Sequence, residues 1–227
     1  MAPSGKTQRI VVTEDGPYLV TGGVPLRREV AVPNDEGDPL EWREGEELEC
    51  GEAYALCRCG QSRNKPYCDG SHLRAGFDGT ETCDRGNYSE KCRKVIGPEL
   101  ELTDAEEYCA EARFCHPEGG TWHLVRHSDD PGQMDLAIAQ ACNCPSGRLT
   151  VWKDGVPIEP ELEPSIGLTE DPGAECSGPL RVKGGIGIES ADGTPYETRN
   201  RVTLCRCGHS KNKPLCDGSH RRAGFKA

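Results

Sequence analysis

A cysteine-rich motif that occurs twice constrains the fold of this 227-residue chain more than any other feature. Residues 57–72 and 205–220 share the pattern C-R-C-G-x-S-x-N-K-P-x-C-D-G-S-H. The similarity extends upstream, where residues 16–24 and 178–186 both begin with Gly-Pro and end with Gly-Gly and a β-branched residue. The duplicated unit is therefore a whole small module, and we expect two such modules with other segments between them.

The composition favours short strands, turns and metal ligation. Only 34% of the residues are hydrophobic and 5% are aromatic, while 28 glycines and 17 prolines favour loops over long helices. The first residues show no secretory signal and no stretch is apolar enough to span a membrane, so we expect a cytoplasmic protein. In that reducing compartment the 14 cysteines are expected to bind metals more often than to form disulfides.

We predict a mainly β protein with short helices. In each module, strands near 17–24 and 179–188 precede another strand that runs into the cysteine motif. The motif ends in a short helix, for which Asp69 and Asp217 are suitable N-cap residues, and the motif histidine falls in its first turn.

The predicted organisation has four parts. The cysteine-rich segment between the modules is expected to contain a helix near 136–141 and a strand near 148–152. A stretch rich in Pro, Glu and Gly follows and is typical of a linker. The four parts are a first module at 10–80, an insert at 81–152, a linker at 153–176 and a second module at 177–227.

Each motif has three cysteines and one histidine in the spacing C-x-C-x8-C-x3-H, a set of donors that can converge on one metal site. Arginines and lysines are concentrated around both motifs although the chain has a formal charge of −11, as expected if the motifs hold negative charge. The same donors also form structural zinc sites, which more often use C-x2-C, so zinc is the alternative here. The candidate ligands are Cys57, Cys59, Cys68 and His72 in the first motif and Cys205, Cys207, Cys216 and His220 in the second.

Both copies match, at every defined position, the signature C-x-C-x2-S-x3-P-x-C-D-G-S-H of the CDGSH iron–sulfur family, the group related to mitoNEET. The chain thus resembles a tandem, two-motif form of this family. The resemblance implies one 2Fe-2S cluster per motif, bound by the three cysteines and the histidine named above. It also implies that the two modules pack about a pseudo-two-fold axis within one chain, as the subunits of mitoNEET-related dimers do. We therefore expect a monomer.

A histidine ligand predicts the redox behaviour of such a cluster. Because one thiolate is replaced by a neutral imidazole, reduction is easier, and the potential is expected between about −400 mV and about +300 mV. The second ring nitrogen can gain or lose a proton, which couples reduction to pH. Protonation of the coordinating nitrogen is expected to release the cluster in acid.

The insert has a different cysteine pattern. Cys109 and Cys115 form C-x5-C, and Cys144 follows later with a proline directly after it. The pattern resembles single-cluster bacterial ferredoxins of the 3Fe-4S or divergent 4Fe-4S type, with Ala112 where four-iron members have another cysteine. The resemblance implies a small α+β ferredoxin-like insert with a third cluster, for which Cys142 is a candidate fourth ligand; zinc or free thiols are the alternatives. No role is assigned to the other cysteines, Cys50, Cys83, Cys92 and Cys176.

The sequence predicts a redox protein rather than an enzyme. It contains no nucleophile with a partnered base, no phosphate loop and no nucleotide-cofactor fingerprint. We expect electron transfer or redox sensing coupled to pH, together with a redox partner protein. One alternative is a protein that stores iron–sulfur clusters and delivers them to apo-protein acceptors, and another is a structural zinc-binding protein. The acidic net charge disfavours nucleic acid as a partner.

Overall fold

The computed structural model describes residues 7–227, and residues 1–6, from which the absence of a secretory signal was predicted, lie outside them. The strands within this range are β1 (Arg9–Val12), β2 (Tyr18–Thr21), β3 (Leu26–Pro33), β4 (Pro39–Leu48), β5 (Ala53–Leu56), β6 (Arg93–Ile96), β7 (Glu101–Asp104), β8 (Leu149–Lys153), β9 (Val156–Ile158), β10 (Ser165–Asp171), β11 (Cys176–Lys183), β12 (Gly187–Glu189) and β13 (Arg201–Leu204). The α-helices are α1 (Ser71–Ala75), α2 (Tyr88–Lys91), α3 (Thr121–Arg126), α4 (Pro131–Asn143) and α5 (Ser219–Arg222). None of these helices is long and apolar enough to cross a membrane.

Three antiparallel strands lead to each cysteine motif. In the first module β1, β2 and β5 are neighbours in that order, and in the second module β10, β11 and β13 are arranged in the same way. In β1 and β2 alternate side chains are buried, as the two-residue period of a strand with one apolar face requires. β5 and β13 end directly before the first cysteine of their motifs, so the last strand of each module positions the metal loop.

Each sheet receives one strand from the other module. β3 follows β2 in the sequence but pairs in parallel with β10 of the second module. β12 follows β11 but pairs in parallel with β1 of the first module. The sheet orders are therefore β12-β1-β2-β5 and β13-β11-β10-β3-β4, and the reciprocal exchange joins the two modules into one body.

One hydrophobic core unites the two exchanged sheets. Ile10 and Val20 from the first sheet pack in the same cluster as Ile166 and Leu180 from the second, and all four are buried. Burial of such a side chain contributes about 1.5–3 kcal/mol each. Neither module therefore has a core that is independent of the other.

The two metal loops touch through a pair of glycines. A Cβ on Gly60 would lie 2.4 Å from the carbonyl oxygen of Cys207, and one on Gly208 would lie 2.4 Å from that of Cys59. Both glycines have a positive φ, 74° and 85°, which other residues rarely adopt. The mainly β fold with two modules around an insert confirms the prediction, and the reciprocal contacts follow the expected pseudo-two-fold arrangement.

The insert is built around its own sheet, in the order β6-β7-β8-β9. α3 and α4 pack on one face of this sheet, where Leu124 of α3 contacts a buried cluster with Leu102 and Val151. The helix predicted near 136–141 is the second half of α4, and the strand predicted near 148–152 is β8.

The segment predicted as a linker, residues 153–176, contains regular strands instead. This segment contains β9 and β10, and β10 lies at the centre of the five-stranded sheet. The apolar run that forms β10 is short, and the prolines and glutamates before it dominate the local composition. Composition averaged over the segment therefore concealed a buried strand.

The prediction that Asp69 and Asp217 are N-cap residues is also wrong by one position. Gly70 and Gly218 occupy the N-caps of α1 and α5 in left-handed conformations. Each aspartate reaches past the glycine and accepts a hydrogen bond from the first helical N–H, at 3.0 and 2.9 Å. The N-cap position has a left-handed backbone conformation, which glycine adopts more readily than aspartate does.

Candidate metal centres

Both cysteine motifs bring their four predicted ligands together as two pairs. In the first motif the Sγ atoms of Cys57 and Cys59 lie 3.7 Å apart, and Sγ of Cys68 lies 3.4 Å from Nδ1 of His72. The same two distances, 3.7 and 3.4 Å, recur at the equivalent atoms of the second motif. Two sulfurs bound to one tetrahedral metal at about 2.3 Å lie roughly 3.8 Å apart. Each pair therefore has the spacing of two ligands of one metal ion.

Backbone hydrogen bonds at the end of β5 fix the first ligand loop. The N–H of Cys57 donates to the carbonyl of Pro66 at 2.8 Å, and the N–H of Cys68 donates to the carbonyl of Ala55 at 2.9 Å. The equivalent bonds at the end of β13 measure 2.8 and 3.0 Å. The loop is thus tied to the sheet next to the first and third cysteines, which sets where the two donor pairs lie.

The serine and the aspartate of the motif serve the loop rather than the metal. The hydroxyl of Ser62 donates to the carbonyl of Tyr67 at 2.6 Å and accepts from the N–H of Asn64 at 3.0 Å. The carboxylate of Asp69 accepts from the N–H of Arg63 at 2.9 Å, and hydrogen bonds of this kind hold the pKa of Asp69 well below its usual range. These contacts recur in the second motif, so both loops have the same internal frame.

A buried arginine lies between the first two cysteines of each motif. Arg58 is 1% exposed and donates from Nε to the carbonyl of Gly16 at 3.0 Å. Arg206 makes the equivalent bond to Gly178 at 2.7 Å and also binds the carboxylate of Glu170 at 2.9 Å. These side chains anchor the C-x-C segments to the neighbouring strands. The sequence indicated that cations around both motifs balance negative charge, but it did not indicate this anchoring role.

The second site is more deeply buried than the first. His220 is 4% exposed and Cys216 is 2% exposed, whereas Cys68 and His72 are half-buried. Burial, followed by the charges of two neighbouring arginines, lowers the pKa of His220 to about 4. The imidazole of the second site therefore keeps its neutral, ligating form to lower pH than an ordinary histidine does.

Three of the four cysteines predicted for the insert line one cavity, namely Cys109, Cys115 and Cys144. The loop between the first two has positive φ values of 53° at Glu111 and 66° at Arg113. Residues with positive φ in a loop can turn successive backbone N–H groups towards an anionic centre. Burial, followed by the charge of Cys144, raises the pKa of Cys115 to about 12, so this thiol ligates a metal only with release of its proton.

Cys142 is not brought into this group. It lies in the last turn of α4 and does not line the cavity, and its Sγ is 3.8 Å from the carbonyl oxygen of Ile158. Cys144 lies one residue beyond the end of α4, where the chain changes direction. Residues two apart at a helix end face different sides, which separates the two thiols.

Two arginines, one half-buried and one buried, lie beside the insert cavity. Arg148 lines it and donates from Nε and Nη2 to the carboxylate of Asp104, at 2.6 and 3.0 Å. Arg201 is 1% exposed and donates from Nη1 to the carbonyls of Ala141 and Cys144, at 2.6 and 2.8 Å. These cations oppose the negative charge that deprotonated cysteines would bring. Both were missed in the sequence because they lie outside the cysteine pattern.

The remaining cysteines are not grouped with these sites. All 14 cysteines, which lie within the described range, are free thiols. Cys176 is buried in β11, and Cys50, Cys83 and Cys92 are half-buried elsewhere. Between residues 7 and 227 no three His, Cys, Asp or Glu side chains surround a single metal position, in line with the paired arrangement of the donors.

The family model described as "Iron-binding zinc finger CDGSH type" matches residues 15–73 and 177–221, and the model described as "Divergent 4Fe-4S mono-cluster" matches 95–154. Among curated proteins, the mitochondrial CDGSH iron-sulfur domain-containing protein 3 of Mus musculus is 58% identical over 27 residues. That match covers 12% of this chain and spans only 20% of the relative. No solved structure matches the chain.

Proposed function

We propose, from the premise that this chain is an iron–sulfur protein in which two CDGSH-type modules flank a segment of the divergent 4Fe-4S type, that its metal sites carry electrons in sequence. Each module holds a 2Fe-2S cluster through its three cysteines and its histidine. The insert holds a third cluster, of the 4Fe-4S or 3Fe-4S type, through Cys109, Cys115 and Cys144. The observation that carries the proposal is that the three sites adjoin one another within one chain.

The paired donors favour a 2Fe-2S cluster over a single zinc ion in each module. A structural zinc ion is held by four protein ligands around one position. In both motifs the donors lie instead as one sulfur–sulfur pair and one sulfur–nitrogen pair. Each pair suits one of two irons, and the cluster when bound supplies reversible uptake of one electron.

The first and second sites are joined by protein atoms. Their C-x-C segments are in backbone contact at the reciprocal glycines described above. Tyr18, a fully buried residue of β2 in the first module, donates its hydroxyl to the carbonyl of Cys205 in the second motif at 2.8 Å. The guanidinium of Arg58, within the first motif, lies 5.8 Å from the centre of the same tyrosine ring. A short path of packed groups therefore links the two ligand sets.

The second site also adjoins the insert. Burial raises the pKa of the Cys216 thiol, and the charges of Cys205 and of Cys109 from the insert add to that effect. Ala110 and Glu111 of the insert line one cavity together with His220. The three sites thus follow one another in the order first module, second module, insert, which is the arrangement that an electron relay needs.

The two histidines are suited to couple electron uptake to a proton. In both of them Nδ1 is the nitrogen that faces the cysteine sulfur, which leaves Nε2 to carry the proton. His72 is half-buried and solvent reaches its side chain, whereas His220 is enclosed. We therefore assign the pH response mainly to the first site.

In this proposal the protein is a cytoplasmic monomer and a carrier of electrons rather than an enzyme. The strand exchange joins two motif-bearing modules within one chain, so a second copy of the chain is not needed to bring two motifs together. Its partner is another redox protein, and neither nucleic acid nor a membrane is required.

A second candidate function is the delivery of a cluster to an apo-protein. The half-exposed Cys68 and His72 favour it, because a ligand pair that solvent reaches can also be reached by the thiols of an acceptor. Under this alternative only the first site would give up its cluster readily.

Two reactions of the anaerobically purified protein discriminate between these functions. In one, the protein is mixed with NADPH and a ferredoxin reductase, and in the other with an apo-ferredoxin. We expect reduction of the visible absorption to be at least tenfold faster than transfer of a cluster to the apo-ferredoxin. Transfer that outpaces reduction would favour the storage function instead.

A further inference from the structure

A loop of the insert covers the metal loop of the second module. The carboxylate of Glu111 lies 3.1 Å from the guanidinium of Arg222, two residues after the predicted ligand His220. A Cβ on Gly218 would lie 2.4 Å from Cγ of Glu111, so the glutamate is packed directly on the motif. On the same loop, Nδ2 of Asn212 donates to the carbonyl of Glu107 at 2.9 Å. An acidic, cysteine-bearing loop is thus docked on the second site.

The equivalent surface of the first module is open. A Cβ on Gly70 would meet no atom within 4 Å, and Leu73 is 79% exposed. Arg74, the counterpart of Arg222, donates to the hydroxyl of Ser71 at 3.1 Å, as Arg222 does to its own serine. Unlike Arg222, Arg74 has no carboxylate within 4.0 Å among residues 7–227. We call Asn64, Gly70, Leu73 and Arg74 the open face.

We propose that the open face docks an acidic electron-transfer protein, with a carboxylate of that partner at Arg74 in the place that Glu111 takes at Arg222. This inference rests on the proposed function, since it names the class of partner that the first site exchanges electrons with. The pseudo-symmetry of the modules supports the geometry, because the two motif loops share the same internal hydrogen bonds.

The insert also indicates what the partner carries. Glu111 lies between Cys109 and Cys115, so the carboxylate that docks on the second module belongs to a loop around another metal site. A partner that docks on the open face in the same way brings its own redox centre close to His72. Short distance between centres is what electron transfer between two proteins requires, and opposite charges orient such an encounter.

Leu73 distinguishes the open face from its counterpart. The second module has Arg221 at this position, which lies 3.8 Å from the carboxylate of Glu111. The first module presents an exposed apolar side chain next to a cation that has no carboxylate partner among residues 7–227. The acidic partner therefore also needs an apolar patch beside its carboxylates.

Stopped-flow kinetics with a reduced, acidic plant-type 2Fe-2S ferredoxin as the probe tests this inference. The second-order rate constant for electron transfer to the full-length, cluster-bearing protein is measured at low and at high ionic strength. We expect Arg74→Glu and Leu73→Asp to lower the low-salt rate constant at least fivefold. The matched control, Arg126→Glu, reverses a charge on α3 of the insert that is also exposed, and should change the rate constant less than twofold.

Several results would contradict the docking surface. One is an equal loss of rate in Arg74→Glu and Arg126→Glu. Another is a wild-type rate constant that does not fall with added salt. A third is a salt-sensitive dimer of the chain itself, seen in sedimentation, that Arg74→Glu dissociates. Visible absorption and electron paramagnetic resonance of each variant show that the clusters are retained. If Arg74→Glu loses them, Arg74→Gln replaces it, with an expected loss of at least twofold.

The two levels of the proposal fail in different ways. A chain that holds no iron, or whose clusters cannot be reduced by dithionite, would refute the proposed function. A chain whose clusters are reduced by the ferredoxin at the same rate with and without Arg74 would refute only the docking surface.

Discussion

At the residue scale, the two halves of the duplication differ where their ligands meet solvent. His220 is enclosed by the insert and its pKa is lowered to about 4, with burial as the main cause, while His72 is half-buried. The coordinating imidazole must be neutral, so a lower pKa extends cluster binding to lower pH. The duplicated motif therefore does not predict duplicated behaviour.

We expect the cluster of the first module to be lost at a higher pH than that of the second. Acid titration followed by visible absorption should show two phases, separated by at least one pH unit. His72→Cys should abolish the phase at higher pH and His220→Cys the one at lower pH, because a thiolate replaces the protonatable imidazole in each. One phase in the wild type, or two phases unaffected by both variants, would contradict this assignment.

The contact between the metal loops makes a second prediction at this scale. Gly60→Ala places a Cβ 2.4 Å from the Cys207 carbonyl, whereas Gly76→Ala, also at positive φ, meets no atom within 4 Å. Gly76→Ala should cost about 1–2 kcal/mol for backbone conformation alone. Gly60→Ala should cost at least about 2 kcal/mol more, since backbone atoms must move.

Chemical denaturation of the two variants measures this difference in the free energy of unfolding. Gly208→Ala, on the other side of the same contact, serves as a repeat of the test and should behave like Gly60→Ala. Equal costs in Gly60→Ala and Gly76→Ala would show that the loops do not touch in solution.

At the scale of elements, the strand exchange is what the sequence could not predict. β3 and β12 each follow a strand of their own module, and their local sequence does not indicate that they pair with a strand of the other. Only the packing of both sheets on one core decides the pairing. The strands that run into the motifs were predicted because Cys57 and Cys205 directly follow apolar, β-prone segments.

Substitution of a core residue in β10 should lower the free energy of unfolding. Leu168→Ala should lower the free energy of unfolding by about 2–5 kcal/mol, because Leu168 is 1% exposed in the shared core. Val156→Ala on β9, where the side chain is 63% exposed, is the matched control and should cost less than about 0.5 kcal/mol. Since the core is shared, Leu168→Ala should loosen both modules in hydrogen exchange. Loss of protection in the second module alone would contradict a common core.

At the scale of the whole molecule, the ligand sets of the two motifs were predictable and their surroundings were not. Spacing along a short loop fixes which donors can meet, as for Cys57 and Cys59. The thiol of Cys142 is separated from that of Cys144 by the end of α4, which two residues of sequence do not reveal. Arg201 reaches the insert from the second module, a long-range contact that no local pattern contains.

The proposed electron relay requires a cluster in each of the three sites. Metal and acid-labile sulfide analysis of the anaerobically purified protein, combined with electron paramagnetic resonance of the dithionite-reduced form, measures this most directly. We predict about seven or eight irons per chain with matching sulfide, and at least two distinct signals upon reduction. A well-folded, colourless protein that contains zinc and no iron would contradict the assignment of all three sites.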